Sequence, residues 1–420
     1  MGTDAHAAGS RSLKPTPRMI VFRIFLPFAA GYFLSYLFRT VNAVIAPDLV
    51  SALALEPADL GLLTSAYFLT FAAFQLPLGV LLDRYGPRRV ESGLLLRAAA
   101  GAVLFGLARD LPGLLVARGL IGLGVSACLM ASFKAFVQWL PGHRLPFANG
   151  CVMAAGGLGA LTATVPVEMV LGFIDWRQLF LLLGLLALVV AGLIVTLVPG
   201  QSPADGEKPE PLKTQLAGVA GVFSSPVFWR VAPLTIACQA AFLSIQSLWA
   251  GPWLSDVAML ERDAVANHLM AVAGAMIVGF VLIGAIAARL SRHGIQPMQV
   301  AAGGLVMFMC VQLAMVLQLP LPAWLLWTLF GFFGTAGIVP YAALSQSFPA
   351  ALSGRVTTAL NLLVFVAAFA GQWGIGVIIG LWENGADGRF APAGYQAAFA
   401  VVLGFQLLGL VWFLLRRERV

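Results

Sequence analysis

Long apolar runs separated by short polar breaks fill almost the whole chain, and each is long enough to cross a bilayer, which takes roughly 20 residues of helix. Twelve can be laid down, over approximately residues 20–46, 60–82, 92–109, 112–139, 147–172, 178–198, 228–254, 265–290, 297–318, 322–347, 356–382 and 394–415. Between the sixth and seventh lies VPGQSPADGEKPEPLKTQ, whose proline, glycine and charge mark a linker. The pattern predicts an all-α membrane protein of twelve transmembrane helices, with six-helix bundles over 19–198 and 228–415 and a linker over 199–227. Residues 1–18 and 416–420 are expected as tails, the first of them disordered. The opening MGTDAHAAGSRSLKPTPR lacks the short apolar core and small-residue cut site of a cleavable signal, and the run behind it is too long for one.

Composition points the same way. Of 420 residues, 60% are hydrophobic and 10% charged, with a mean hydropathy of +0.91, beyond what a soluble domain needs. Lys and Arg are spread unevenly. With twelve helices both termini lie on one side, which collects eighteen of the 25, while the opposite loops hold four: Arg109, Arg177, Arg262 and Arg389. This asymmetry predicts cytoplasmic termini in a bacterial inner membrane. It also accounts for the net charge of +7 through orientation and headgroup contact, which leaves a nucleic-acid partner without support. Cys128, Cys151, Cys238 and Cys310 fall inside apolar runs without paired spacing and are expected as free, structural thiols.

Residues 79–90 read GVLLDRYGPRRV, an apolar run that stops at an acid and passes through a glycine turn into a basic cluster. A faded copy, Gly284 to Arg289 and then Arg292, His293 and Gly294, stands about half a chain later, with Ala288 in place of Asp83. A repeat of six plus six helices predicts two similar bundles related by a pseudo-two-fold axis, with a substrate path at their interface near mid-membrane.

GVLLDRYGPRRV resembles the signature loop of the major facilitator superfamily between its second and third helices, G-x-L-x-D-R-x-G-x-R-R. LLVARGLIGLG, with Arg118 and Gly122, resembles that superfamily's second signature, and DWRQLF its loop before helix six. The resemblance covers nearly the whole chain. It implies a secondary transporter of the rocker-switch type, without cofactor or resident metal, working as a monomer in the bilayer. In physical terms, Gly79 allows close helix approach, and Asp83 can accept hydrogen bonds from the N-terminus of the eleventh helix, which starts just after Arg355. Gly86 makes the turn, and Arg84, Arg88 and Arg89 add charge pairs and headgroup contacts. Together they form a latch between the bundles. The plainer alternative is a topology signal alone.

Substrate chemistry is sought among polar groups inside the membrane, where a charge costs roughly 3 kcal/mol or more. Of the eighteen acids only Glu168 is expected within a helix; the internal cations are Arg39, Arg118 and Lys134. Cations outnumber acids there, which favours an anionic substrate. Tyr32, Tyr36 and Arg39 share about a 60° arc of the first helix, and Asn42 follows about 60° further round. SYLFRTVNAVIAPDL resembles the first helix of the organic-anion and organophosphate branches, whose Tyr-x-x-Arg-x-Asn pattern implies an arginine against substrate carboxylate or phosphate, although here Asn42 stands one residue too far. Arginine suits either group because its planar fork binds two oxygens and keeps its proton; the alternative for Arg39 is a snorkelling side chain. Lys134 lies about 24 Å from Arg118 along the fourth helix. It is a second anion contact, or else a headgroup-level lysine, and the resemblance makes Arg118 the packed one, with a part in coupling.

In the second half Gln239, Gln246 and Trp253 repeat at seven residues with Trp249 at the edge of their face, and Gly251 with Pro252 is expected to kink or break the seventh helix. Gln75, Tyr67, Tyr341, Asn361 and Gln372 add hydrogen-bonding capacity. Phosphate-binding branches carry a second arginine in the seventh helix, and this sequence is read as having none, so a carboxylate or sugar acid is preferred. For proton coupling the candidates are Glu168 and Asp48; anion exchange needs neither. The alternatives are a proton-coupled exporter of drugs or metabolites, a soft-metal importer using Met307, Met309, Cys310 and Met315, and a non-transporting sensor. Four scattered histidines and no paired acids give a membrane enzyme no constellation to work with.

Overall fold

The computed structural model describes residues 17–140, 145–199, 212–383, 385 and 389–416. Among them twelve helices are long and apolar enough to span a membrane. They are α1 (Val21–Thr40), α2 (Pro57–Gln75), α3 (Arg84–Leu107), α4 (Leu111–Trp139), α5 (Ala148–Leu171), α6 (Trp176–Leu197), α7 (Pro226–Asp256), α8 (Arg262–Ser291), α9 (Pro297–Val316), α10 (Ala323–Gln346), α11 (Gly354–Ile379) and α12 (Pro392–Leu415). The tails at 1–16 and 417–420 and the linker segment 200–211 lie outside the described residues. The end of the linker is not plain coil: residues Leu212–Phe223 form a helix, whose Gly218 leaves room for the Arg355 guanidinium at the start of α11. We call the side carrying both ends of the chain the terminal face and the other the distal face.

Among the described residues the glycines with left-handed φ are Gly86 (75°), in the first turn of α3 where the chain turns in from α2, and Gly294 (83°), between α8 and α9. These are equivalent places in the two halves, so the repeat read from the sequence is a repeat of backbone geometry. A side chain at either turn would be strained.

Proline and glycine shape the contacts between the halves. α1 is interrupted at Val41 and continues as a helix over Asn42–Leu53 that contains Pro47. Pro47 has no N–H for the Ala43 carbonyl one turn earlier, and Gly251 of α7 approaches that carbonyl so closely that a Cβ would overlap it. On α2, a Cβ at Gly61 would lie 2.9 Å from the Gln372 carbonyl oxygen of α11, and one at Gly376 would overlap the Pro57 carbonyl oxygen. Trp249 fills the space beside both glycines and donates its indole N–H to Gln372 O at 2.9 Å. Backbone meets backbone here because, without a hydrophobic force between helices in lipid, close packing supplies the attraction.

An ion cluster covers these crossings at the distal face. Arg262, the first residue of α8, holds Asp48 through both terminal nitrogens (Nη1 to Oδ1 2.8 Å, Nη2 to Oδ2 2.7 Å) and Glu168 of α5 through Nε at 2.5 Å. All three are partly exposed, and a solvent-exposed pair contributes at most about 1 kcal/mol. The bidentate fork makes the cluster a directional clasp from the second half to two elements of the first.

Loss of the clasp in Arg262→Gln should widen the distal face. In a chain whose native cysteines are replaced, spin labels at Phe173→Cys and Met259→Cys report this as a distance distribution shifted to longer values. Gly251→Val should shift it further, because a backbone carbonyl cannot move aside as a side chain can. Distances unchanged in both variants would contradict this account of closure.

Candidate functional site

Below the distal crossings the core becomes aromatic and encloses Arg39. Arg39 is buried, with its Cζ 4.6 Å from the ring centroid of Tyr36, 5.8 Å from Tyr67, 5.5 Å from Phe71 and 5.4 Å from Phe365. These rings come from α1, α2 and α11. Phe71 and Phe365 stack across the two halves at 4.3 Å. Ring faces attract a cation at these distances, yet they accept no conventional hydrogen bond, and Arg39 Nε is buried without a partner. No carboxylate pairs with Arg39 among the described residues.

Arg118 is also buried, but its guanidinium is satisfied. Nη1 donates to Phe38 O at 2.8 Å. With the Asn42 amide turned so that its oxygen faces the guanidinium, that oxygen accepts from Nη2 at 2.7 Å and Nε at 3.2 Å. The Tyr67 ring sits 5.1 Å from Arg118 and 5.8 Å from Arg39, between the two cations. One arginine is thus used to hold α4 to α1, and its neighbour retains an unused donor.

One turn towards the terminal face a polar layer crosses the halves. Asn361 of α11 donates to Gln75 Oε1 and accepts from Tyr341 of α10, both at 3.5 Å, while Gln75 Nε2 reaches Phe71 O at 3.4 Å and Ser126 O at 3.5 Å. These are long contacts, so a better partner can displace them. Tyr32 and Tyr36 meet edge to face at 5.2 Å beneath Gly156 of α5, and the Tyr32 hydroxyl lies 3.7 Å from Met153 Sδ.

Several expected positions differ. Asn42, just past the break in the helix at Val41, is engaged by Arg118 and so is not free to serve the Tyr32, Tyr36 and Arg39 stripe. The seventh helix does not break at Gly251 and Pro252; a π-helical turn over Ile245–Trp249 precedes them and α7 runs on to Asp256. The extra residue of that turn rotates the helix beyond it. Trp249 is therefore a packed wall residue, and Trp253 packs on Trp327 of α10 at 5.4 Å. Gln246 stays buried within the π-turn, and Gln239 carries a partnerless Oε1 toward Gly337 of α10. Lys134 is half-buried toward the terminal end of α4 and is engaged in an interaction of its own. Asp48 and Glu168 belong to the distal clasp, away from Arg39's ring cage. The seventh helix, read as lacking an arginine, does carry Arg230, which lies in the first turns of α7 with its Cζ 5.7 Å from the Phe413 ring centroid.

In the latch segment the side chain of Asp83 lies outside the described residues. Arg84 stacks on Tyr85 at 5.3 Å and Arg89 is exposed. Arg88 donates to the Val195 carbonyl in the last turn of α6, where a helix leaves carbonyls unpaired and its dipole favours a cation. That contact lies within the first half and does not bridge to the second. Three functional features were missed in the sequence: Phe71 and Phe365, which read as ordinary apolar positions; Arg262 as a clasp; and Glu91. The expectation that Glu168 is the one acid within a helix is overturned by Glu91, which lies inside α3 with no exposed surface. Its signal was present, since the apolar run resumes at Val90, before it.

The comparisons bear on the whole arrangement. Residues 28–372 match the Major Facilitator Superfamily. The chain is 31% identical over 157 residues to the probable sulfoacetate transporter SauU of Cupriavidus necator, covering 37% of this chain and 36% of that one. It is 29% identical over 161 residues to the galacturonate transporter of Dickeya chrysanthemi (38% and 47% covered) and 28% over 235 residues to the niacin transporter NiaP of Acinetobacter baylyi (55% and 52%). The matched stretches thus span between about a third and a half of these relatives. Among solved structures, a bacterial homologue of the human lysosomal transporter Spinster, inward-facing and unoccupied, superposes with a TM-score of 0.74 at 18% identity, covering 95% of this chain and 97% of that one. A D-xylose–proton symporter gives 0.73 at 16% identity, covering 94% and 97%. At such identities the likeness concerns the fold, and with the family match over most of the sequence it leads to one conclusion: the chain belongs to the Major Facilitator Superfamily.

Proposed function

We propose that the protein is a secondary active transporter that takes up a small organic anion, a carboxylate or sugar acid, by alternating access, and that Arg39 is its chief substrate contact. The observation that carries this reading is the buried Arg39 guanidinium with a partnerless Nε and no paired carboxylate among the described residues. A carboxylate would supply both the missing acceptor and the missing charge. The rings of Tyr36, Phe71 and Phe365 suit the apolar or ring body of such a molecule, and Gln75, Asn361 and Tyr341 offer donors and acceptors to its hydroxyls. One available arginine favours a single anionic group over a doubly charged phosphate. Galacturonate and niacin, named for two of the relatives, each carry a single carboxyl group, and sulfoacetate, named for a third, carries a sulfonate beside its carboxyl.

In this reading the protein works as a monomer with both termini in the cytoplasm of a bacterial inner membrane, as the Lys and Arg distribution favours. The distal face, closed here by the Arg262 clasp and the glycine crossings, is then the outer face. Asp83 and its neighbours remain the proposed latch on the cytoplasmic side. Uptake is driven by proton symport or by exchange against another anion.

Thermal unfolding of the purified protein in sulfoacetate, galacturonate, nicotinate, glucose 6-phosphate, xylose and a lipophilic cation tests the reading. An anion at 100 times its dissociation constant should stabilise wild type by about 2.7 kcal/mol. Arg39→Gln should weaken that anion by about 10- to 100-fold, corresponding to a charge-assisted hydrogen bond of ~1.5–3 kcal/mol. Equal stabilisation of both proteins by the cation or the neutral sugar would replace uptake of an anion with export or neutral-solute transport.

A further inference from the structure

A second unpartnered group lies in the first half, and neither the anion site nor the distal clasp uses it. Glu91 stands five residues beyond the Gly86 turn, on the α3 face directed to α1 and α4. It has no exposed surface, and both carboxyl oxygens are buried without a hydrogen bond from any nitrogen or oxygen, the Cys128 thiol being the one donor beside them. Room for it comes from Gly31 of α1: a Cβ there would overlap Glu91 Oε1 and would lie 3.8 Å from Cys128 Sγ of α4.

Among the described residues the facing groups hold no counter-charge at this point. α4 presents the Cys128 thiol, and Lys134, six residues on, has its own engagement. α1 presents Gly31, with Arg39 eight residues further, in its ring cage. On α2, the Tyr67 hydroxyl donates to Ser35 O at 3.3 Å, and the Asp83 side chain lies outside the described residues. The charged residue of α6, Arg177, sits at its distal end and donates to the Gly106 and Ala108 carbonyls. A carboxylate in such a place lacks water and a cation and has only the weak thiol donor of Cys128, whereas a carboxylic acid is tolerated.

We propose that Glu91 is a proton-binding site of the first half, loaded when α1, α3 and α4 are packed as here and unloaded when their interface opens to water. Unloading breaks the carboxyl O–H bond, leaves its electron pair on the carboxylate and passes the proton to water. The packed arrangement then requires a bound proton, and this ties proton movement to the change of conformation. Coupling to uptake rests on the anion-transport reading above; proton binding at Glu91 does not.

Infrared difference spectroscopy of the purified protein between acidic and alkaline buffer needs no substrate. Wild type should show the carbonyl stretch of a protonated acid that fades as pH rises, Glu91→Gln should lack it, and Glu91→Asp should restore a shifted band. A band that persists in wild type until the protein unfolds, or spectra identical in wild type and Glu91→Gln, would overturn the proposal. In proteoliposomes loaded with sulfoacetate or galacturonate, Glu91→Gln should retain exchange of labelled for unlabelled anion but lose accumulation driven by a pH gradient, down to the level without a gradient. Gradient-driven accumulation equal to wild type would sink the coupling role. Absence of any anion flux in wild type would count against the anion reading alone, and the spectroscopic result would still decide Glu91.

Discussion

An arginine held inside a bilayer-spanning bundle with one donor unmet is the constraint around which this molecule is arranged. Burying a charge in this setting is expensive, and the protein offsets the cost at Arg39 with ring faces. It could have provided a carboxylate, or a carbonyl and an amide as it does at Arg118. Two guanidiniums share the Tyr67 ring and are treated in opposite ways. The satisfied one joins helices, and the other keeps its capacity for an oxygen that the chain does not supply.

The same economy of polar partners explains the form of the closure above it. Pro47 leaves a carbonyl on the extension of α1 without its helical donor, and a glycine of α7 packs against it. α2 and α11 meet through Gly61 and Gly376 toward the distal side, through Phe68, Phe71 and Phe365 at the level of Arg39, and through Gln75 and Asn361 nearer the terminal side. The seam is rigid where backbone touches backbone and weakly bonded where long amide contacts cross it. Such a gradient lets one end of an interface stay shut while the other responds to a ligand.

Much of this was legible in the sequence. Twelve spans follow from the run lengths, because lipid leaves a helix few alternatives, and the Gly86 and Gly294 turns follow from the repeated motif. Arg39 stood out as an intramembrane charge. What could not be read depended on small departures from a regular helix. Asn42, past the break in the helix at Val41, meets Arg118, and the π-turn before Ala250 rotates Trp249 and Trp253 away from a shared face with Gln239. A uniform step of 100° per residue carries no trace of either. Phe71 and Phe365 were hidden for a different reason: a phenylalanine in an apolar run looks the same whether it faces lipid or a cation. Glu91 was lost among the neighbouring arginines of the turn.

The central claim concerns one nitrogen, so the most direct measurement is a density map of the protein saturated with whichever carboxylate raises its melting temperature most. The account predicts an acid group within hydrogen-bonding distance of Arg39 Nε, its body against Phe71 and Phe365, and the Gln75–Asn361 contact replaced by contacts to the ligand. Density for the ligand elsewhere, with Arg39 Nε still without a partner among the rings, would contradict it.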